Sequence, residues 1–140
     1  MGKKVGVVLS GCGVYDGAEI HESVVTLLAI DRNGAEAVMC APDVDQLHVV
    51  NHLTGEVEEG ASRNVLVESA RIARGAIRDV TDVSADELDA QILPGGFGAA
   101  HNLCDLAVNG PHCEVDPGVA ALGRAVPGQG KPVAWVCIAP

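Results

Sequence analysis

Aromatic side chains are almost absent from this chain: Tyr15, Phe97 and Trp135 are its only three. Hydrophobic residues still make up 48% of it, so a packed interior has to be built from Val, Leu, Ile and Ala. Basic charge is scarce as well. Nine Lys and Arg face nineteen Asp and Glu, and Lys3-Lys4 is the only adjacent basic pair. A surface with a formal net charge of −10 repels phosphate backbones and anionic lipid, which argues against nucleic acid or a membrane surface as partner.

Long apolar runs are missing too. The first, Val5 to Leu9, is too short for a signal peptide or a membrane span and is interrupted by Gly6. The five cysteines contain no CxxC pair, and their odd number argues against a complete disulfide framework. Reduced thiols in a cytoplasmic protein are the expectation. There is no collagen period, no solenoid repeat and no low-complexity tract. With 140 residues there is room for one domain around one core.

What is present is an alternation of strand and helix patterns. Lys4 to Ser10 (KVGVVLS) is the apolar run of a strand buried on both faces of a parallel sheet. After the glycine loop 11–17, a helix is predicted from Ala18 to Asn33. Ile20, Val24, Leu27 and Leu28 fall on one face of it, and Gly34 ends it. Ala35 to Ala41 reads as the next strand. Residues 43–62 have weak periodicity and form an excursion with a short hairpin at Thr54-Gly55. Asn64 to Arg74 reads as a helix with Leu66, Ala70 and Ala73 on one side. A capping signature in Ser84 to Asp89 precedes the strand Ala90 to Leu93. Asp116-Pro117 opens a helix that buries Val119, Leu122 and Val126. Lys131 to Cys137 is the last strand. The fold class is therefore α/β with a mainly parallel sheet flanked by helices. The chain stops at Pro140, where such a pattern normally continues into a helix, so the C-terminal part of the domain is expected to be missing.

Parallel sheets carry their functional groups at the carboxyl ends of strands, and three loops leave such ends. Cys137 follows the strand PVAWVC and precedes a turn. A nucleophile on a sharp strand-to-helix turn is exposed and lies near a helix N-terminus, which favours thiolate. Trp135 and Ala139 hold the places where the usual elbow has glycines, so on spacing alone a buried structural cysteine is the plainer reading. Glu22 lies one turn into the first helix, behind Asp16 and Glu19. Dipole complementation, worth about 0.3–1 kcal/mol each, accounts for those two. Glu22 sits beside the core face and could point across the strand ends, where a partly buried carboxyl can shuttle a proton. Gly95 and Gly96 could offer two N–H groups to a developing oxyanion, although an ordinary tight turn is the plainer reading.

Cys12 and His101 are further candidates to line the pocket. His48 and His52, four apart, lack the glutamate of a zinc-peptidase helix, and no metal site is expected. The loop G-C-G-V-Y-D-G (11–17) departs from the strict dinucleotide spacing. Its acidic residues would also confront a pyrophosphate, so nucleotide binding ranks second.

The runs LSGCGVYDGAEIHESVVTLLAI (9–30), VNHLTGE (50–56), RNVLVESARIARG (63–75), LPGGFGAAHNL (93–103) and VCIAP (136–140) together resemble the ElbB-type glyoxalase family. It is also known as the enhancing-lycopene-biosynthesis or isoprenoid-biosynthesis protein family with an amidotransferase-like domain, within the PfpI and DJ-one superfamily. The resemblance implies a flavodoxin-like, class I glutamine-amidotransferase-like fold that breaks off after the nucleophile elbow. It puts the elbow cysteine at Cys137, the helix-start glutamate at Glu22 and the oxyanion-hole pair at Gly95 and Gly96. It also implies a homodimer that uses no cofactor and converts a small aldehyde, methylglyoxal or glyoxal, to a hydroxy acid. A histidine beyond the elbow, often used in the superfamily, has no counterpart here. The other function class to weigh is a redox or stress-response regulator whose cysteine senses oxidants. Glutamine amidotransfer is disfavoured, since no partner synthetase domain accompanies the match.

Overall fold

The computed structural model describes residues 2–140, and the alternating pattern is realised in it with few changes of boundary. Among the described residues the strands are β1 (Lys4–Val8), β2 (Glu36–Ala41), β3 (Val50–Asn51), β4 (Glu56–Val57), β5 (Arg78–Asp79), β6 (Ala90–Leu93) and β7 (Val133–Trp135). β3 and β4 pair as a separate antiparallel hairpin, the one expected at Thr54-Gly55. The other five form one parallel sheet in the order β5-β2-β1-β6-β7. Helices α1 (Ile20–Arg32), α2 (Val65–Ala73), α3 (Gly98–His101), α4 (Leu106–Asn109) and α5 (Pro117–Gly128) complete the chain. No helix among the described residues is long and apolar enough to cross a membrane.

Side chains of a strand alternate between faces, and the central β1 therefore feeds two cores. Val7 and Leu9 pack with Ile30 of α1 and Val65 of α2. Val8 packs on the opposite side with Leu93 and with Val119, Leu122 and Val126 of α5. That helix forms as its sequence dictates. Pro117 occupies its first turn, and the Asp116 carboxylate accepts the N–H groups of Gly118 and Val119, both at 3.0 Å. The three residues at helical spacing are the three it buries.

Two helices bury their expected faces only in part: Leu27 of α1 and Leu66 and Ala73 of α2 pack on the core as expected. In α1 the buried residues are Ser23 and Ile30, while Ile20, Val24, Val25 and Leu28 are exposed. The segment is apolar nearly all round, so the 3.6-residue period does not single out one stripe. Ser23 is admitted because its hydroxyl donates to the Glu19 carbonyl at 2.7 Å. In α2 the buried set is Val65, Glu68, Ser69 and Ala73. Glu68 is neutralised by Arg63 at 2.7 Å and Arg71 at 3.2 Å, and Ser69 Oγ accepts the Gly11 N–H at 2.9 Å.

Removing the α5 cap should be felt throughout the second core. Asp116→Ala is expected to lower unfolding free energy by about 1 kcal/mol, read from urea denaturation, whereas Asp116→Asn keeps a capping oxygen and loses much less. Equal losses for the two variants would mean that the cap bond is not what the aspartate supplies.

Candidate active site

The carboxyl ends of β1, β6 and β7 lie side by side, and the loops leaving them meet at Gly95. The peptide N–H of Gly95 donates to Glu22 Oε1 at 2.9 Å, joining residues 73 apart in the chain. A Cβ at Gly95 would stand 2.5 Å from Cys137 Cβ and 2.7 Å from Glu22 Oε1. The candidate nucleophile and the candidate carboxylate thus flank one glycine and approach each other across it. Cys137 is exposed, and its φ of +56° places a non-glycine residue in the left-handed region. Val136 N–H donates to the Leu93 carbonyl at 3.0 Å, and Ala139 N–H returns to Val136 at 3.0 Å, closing the turn beneath the thiol.

Helix α1 begins where this geometry needs it to. Glu19 caps it, accepting the Glu22 N–H at 2.6 Å, while the Glu19 N–H donates to the Gly95 carbonyl at 2.9 Å. The bond from Glu22 N–H, helped by His21, holds the Glu19 carboxyl below the usual range. Asp16, expected to complement the helix dipole, is instead buried and accepts the Val50 N–H at 2.8 Å. The 11–17 loop turns its amides inward: Gly13 N–H bonds Ala18 O at 2.9 Å, and Gly17 N–H bonds Gly13 O at 2.7 Å. Its glycines serve close packing, since a Cβ at Gly17 would strike the backbone of Gly11 and Cys12.

Gly95 and Gly96 do not present a matched pair of free donors in this arrangement, because the Gly95 N–H is held by Glu22. Cys12 and His101 have separate surroundings. The charged residues around Cys12 are Glu68, Arg71, Asp16 and Arg63, and burial raises its pKa. His101 stands edge-on to His48 and beside Phe97. Burial, then His48, lowers its pKa. His52 packs on Tyr15, so the two histidines at i, i+4 part company. No group of three or more His, Cys, Asp or Glu among the described residues is placed to hold a metal ion.

Asn102 has a positioning part that the sequence did not signal. Its amide donates to the carbonyls of Ser10 and Asp16 at 2.8 and 2.9 Å, and its Oδ1 accepts the Leu47 N–H at 3.0 Å. One buried side chain thereby ties the excursion 43–62 to the site loops. On the α5 side of the elbow lies an apolar cavity of about 350 Å3, lined among others by Leu93, Leu103, Trp135 and Ile138.

No family model matches the chain. It is 53% identical over 137 residues to "Glutamine amidotransferase-like class 1 domain-containing protein 3, mitochondrial" of Homo sapiens, an alignment that covers 98% of this chain and 51% of that protein. It is 33% identical over 140 residues to "ES1 protein, mitochondrial" of Danio rerio, covering 97% and 52%. The crystal structure of an isoprenoid biosynthesis protein with amidotransferase-like domain from Ehrlichia chaffeensis matches with a TM-score of 0.93 and 38% identity, over 98% of this chain and 64% of that one. The chain spans about half the length of the curated relatives it matches. Their names overturn the expectation of a cytoplasmic protein, because both are called mitochondrial. Reduced thiols report a reducing environment and do not distinguish one such compartment from another.

Exposure sets the thiols apart. Cys40 is fully buried, and burial pushes it up to about 12, while Cys137 is the exposed one. Iodoacetamide at neutral pH should alkylate Cys137 first and Cys40 last, as followed by peptide mapping. Labelling of all five at one rate would remove Cys137 from the site.

Proposed function

From a chain with the amidotransferase-like, flavodoxin-like fold of the DJ-1/PfpI superfamily, we propose a cofactor-independent glyoxalase that acts on methylglyoxal or glyoxal. The superfamily includes glyoxalases and stress-response proteins. The observation that carries the choice is the meeting of Glu22 and Cys137 at Gly95. An oxidant sensor needs an exposed thiol. A carboxylate fixed beside that thiol is what an internal proton transfer needs.

In the proposed reaction the Cys137 thiolate attacks the aldehyde carbon, and the resulting alkoxide takes a proton to give a hemithioacetal. Glu22 then removes the proton from that carbon, giving an enediol as the neighbouring carbonyl oxygen takes up a proton. It delivers its proton to the neighbouring carbon as the hemithioacetal hydroxyl gives up its own, leaving a thioester of the 2-hydroxy acid. Water cleaves the thioester, releasing the acid and returning the thiol. The Gly95 N–H, bonded to Glu22 Oε1, orients the carboxylate, and the Gly96 N–H is left to meet the oxyanion. Neither metal nor nucleotide enters this scheme.

Glu22→Gln is nearly isosteric but cannot carry the proton. In the whole protein it should cut methylglyoxal turnover by roughly 10²–10⁴-fold with an unchanged circular dichroism spectrum, and Cys137→Ser should abolish turnover. Wild-type protein that turns over no glyoxal, yet is oxidised at Cys137 by dilute peroxide, would favour the regulatory reading instead.

A further inference from the structure

Two cysteines outside this site lie on neighbouring antiparallel segments. Residues 103–105 run antiparallel to 114–116, with Cys104 and Val115 forming a β-bridge. Asp105 N–H donates to Glu114 O at 3.1 Å, Asp116 N–H to Leu103 O at 2.8 Å, and Glu114 N–H to Asp105 Oδ1 at 2.6 Å. In an antiparallel pair, opposed residues and their diagonal neighbours project from one face. Cys113 is two residues before Val115 and extended, with φ −67° and ψ 152°, so it projects to the side of Cys104. The Cys104 thiol donates to the Ala99 carbonyl at 3.4 Å, and Cys104 and Cys113 both line the apolar cavity beside the elbow. The chain between them, α4 and the 3-10 turn Gly110–His112, leaves Leu106 and Val108 exposed.

We propose that Cys104 and Cys113 are a reversible dithiol–disulfide pair that clips the intervening loop over the apolar cavity when the protein is oxidised. Hydrogen peroxide is the oxidant. One thiol gives up its proton, its sulfur takes an oxygen from the peroxide, the O–O bond breaks, and the hydroxide that leaves recovers that proton, so that a sulfenic acid and water result. The second sulfur then attacks the first. The S–S bond forms as the S–O bond breaks, and the hydroxyl leaves as water with the second thiol's proton. One peroxide and two thiols become one disulfide and two waters, and a dithiol reverses the change.

Burial raises the pKa of Cys104, which suits the thiol that waits to resolve a sulfenic acid rather than the one that meets peroxide. A diagonal pair, about 7–8 Å apart, lies beyond the usual Cα separation of a disulfide, so the bridge forms only as the two segments draw together. A bridge under such strain is readily reduced. The inference does not depend on the chemistry proposed for Cys137.

The whole protein, treated with peroxide and then with N-ethylmaleimide, can be digested without reductant and mapped by mass spectrometry. The expected product is a peptide pair joined through Cys104 and Cys113, formed equally in Cys137→Ser and lost after dithiothreitol. The oxidised wild type should melt about 2–4 °C above the reduced form, the gain from closing the loop being partly offset by strain, a shift absent from Cys104→Ser and Cys113→Ser. If both thiols stay free while Cys137 is fully oxidised, or if Cys104 is joined to any other cysteine, the proposal fails.

Discussion

The loops that follow β1 and β6 lie backbone against backbone, and that contact leaves no room for side chains. A Cβ at Gly98 would stand 2.5 Å from Ser10 Oγ and 2.6 Å from Gly17, and one at Gly96 would collide with Gly17 O and Glu19 N. Hydrogen bonds follow from the closeness: Gly98 N–H to Gly17 O at 2.9 Å and Phe97 N–H to Val14 O at 2.8 Å. Because the loops touch there, α1 starts directly beneath the end of β6, and the first turn of the helix brings Glu22 to the Gly95 amide. Any methyl group in this seam would push α1 away and open the distance to Cys137.

The same seam explains the acidic loop. Three carboxylates crowd it, yet each has a separate partner: Asp16 takes the Val50 N–H, Glu19 the Glu22 N–H and Glu22 the Gly95 N–H. Backbone amides, rather than lysines or arginines, hold the negative charge. His21 adds a contact to Glu19 at 3.2 Å, and His52 stands 3.8 Å from Asp16.

Local signals were enough for elements whose ends are chemically marked. Asp116-Pro117 with Val119, Leu122 and Val126 specified α5 down to its buried residues, and Ser84 formed the expected capping box with Glu87. Periodicity found only part of the buried faces of α1 and α2, where tertiary partners also decide what is inside: Ser23 and Glu68 are buried with Glu19 O, Arg63 and Arg71 to satisfy them. The candidate site was legible as residue types at strand ends, and the family resemblance supplied their assignment. The Gly95–Glu22 bond could not be read, since it joins distant residues through a backbone amide that carries no sequence signature. The compartment was misread because composition reports chemistry, not address.

The left-handed backbone at Cys137 carries a consequence for how the protein can evolve. A non-glycine residue in that region stores of order 1–3 kcal/mol of strain, which glycine would relieve at once. Backbone relief and retention of the thiol therefore pull position 137 in opposite directions. A lineage selected for robustness alone would drift to glycine there, keeping the fold and losing the thiol. Whether cysteine persists at 137 through such drift is a record, written in the chain itself, of whether its sulfur has been in use.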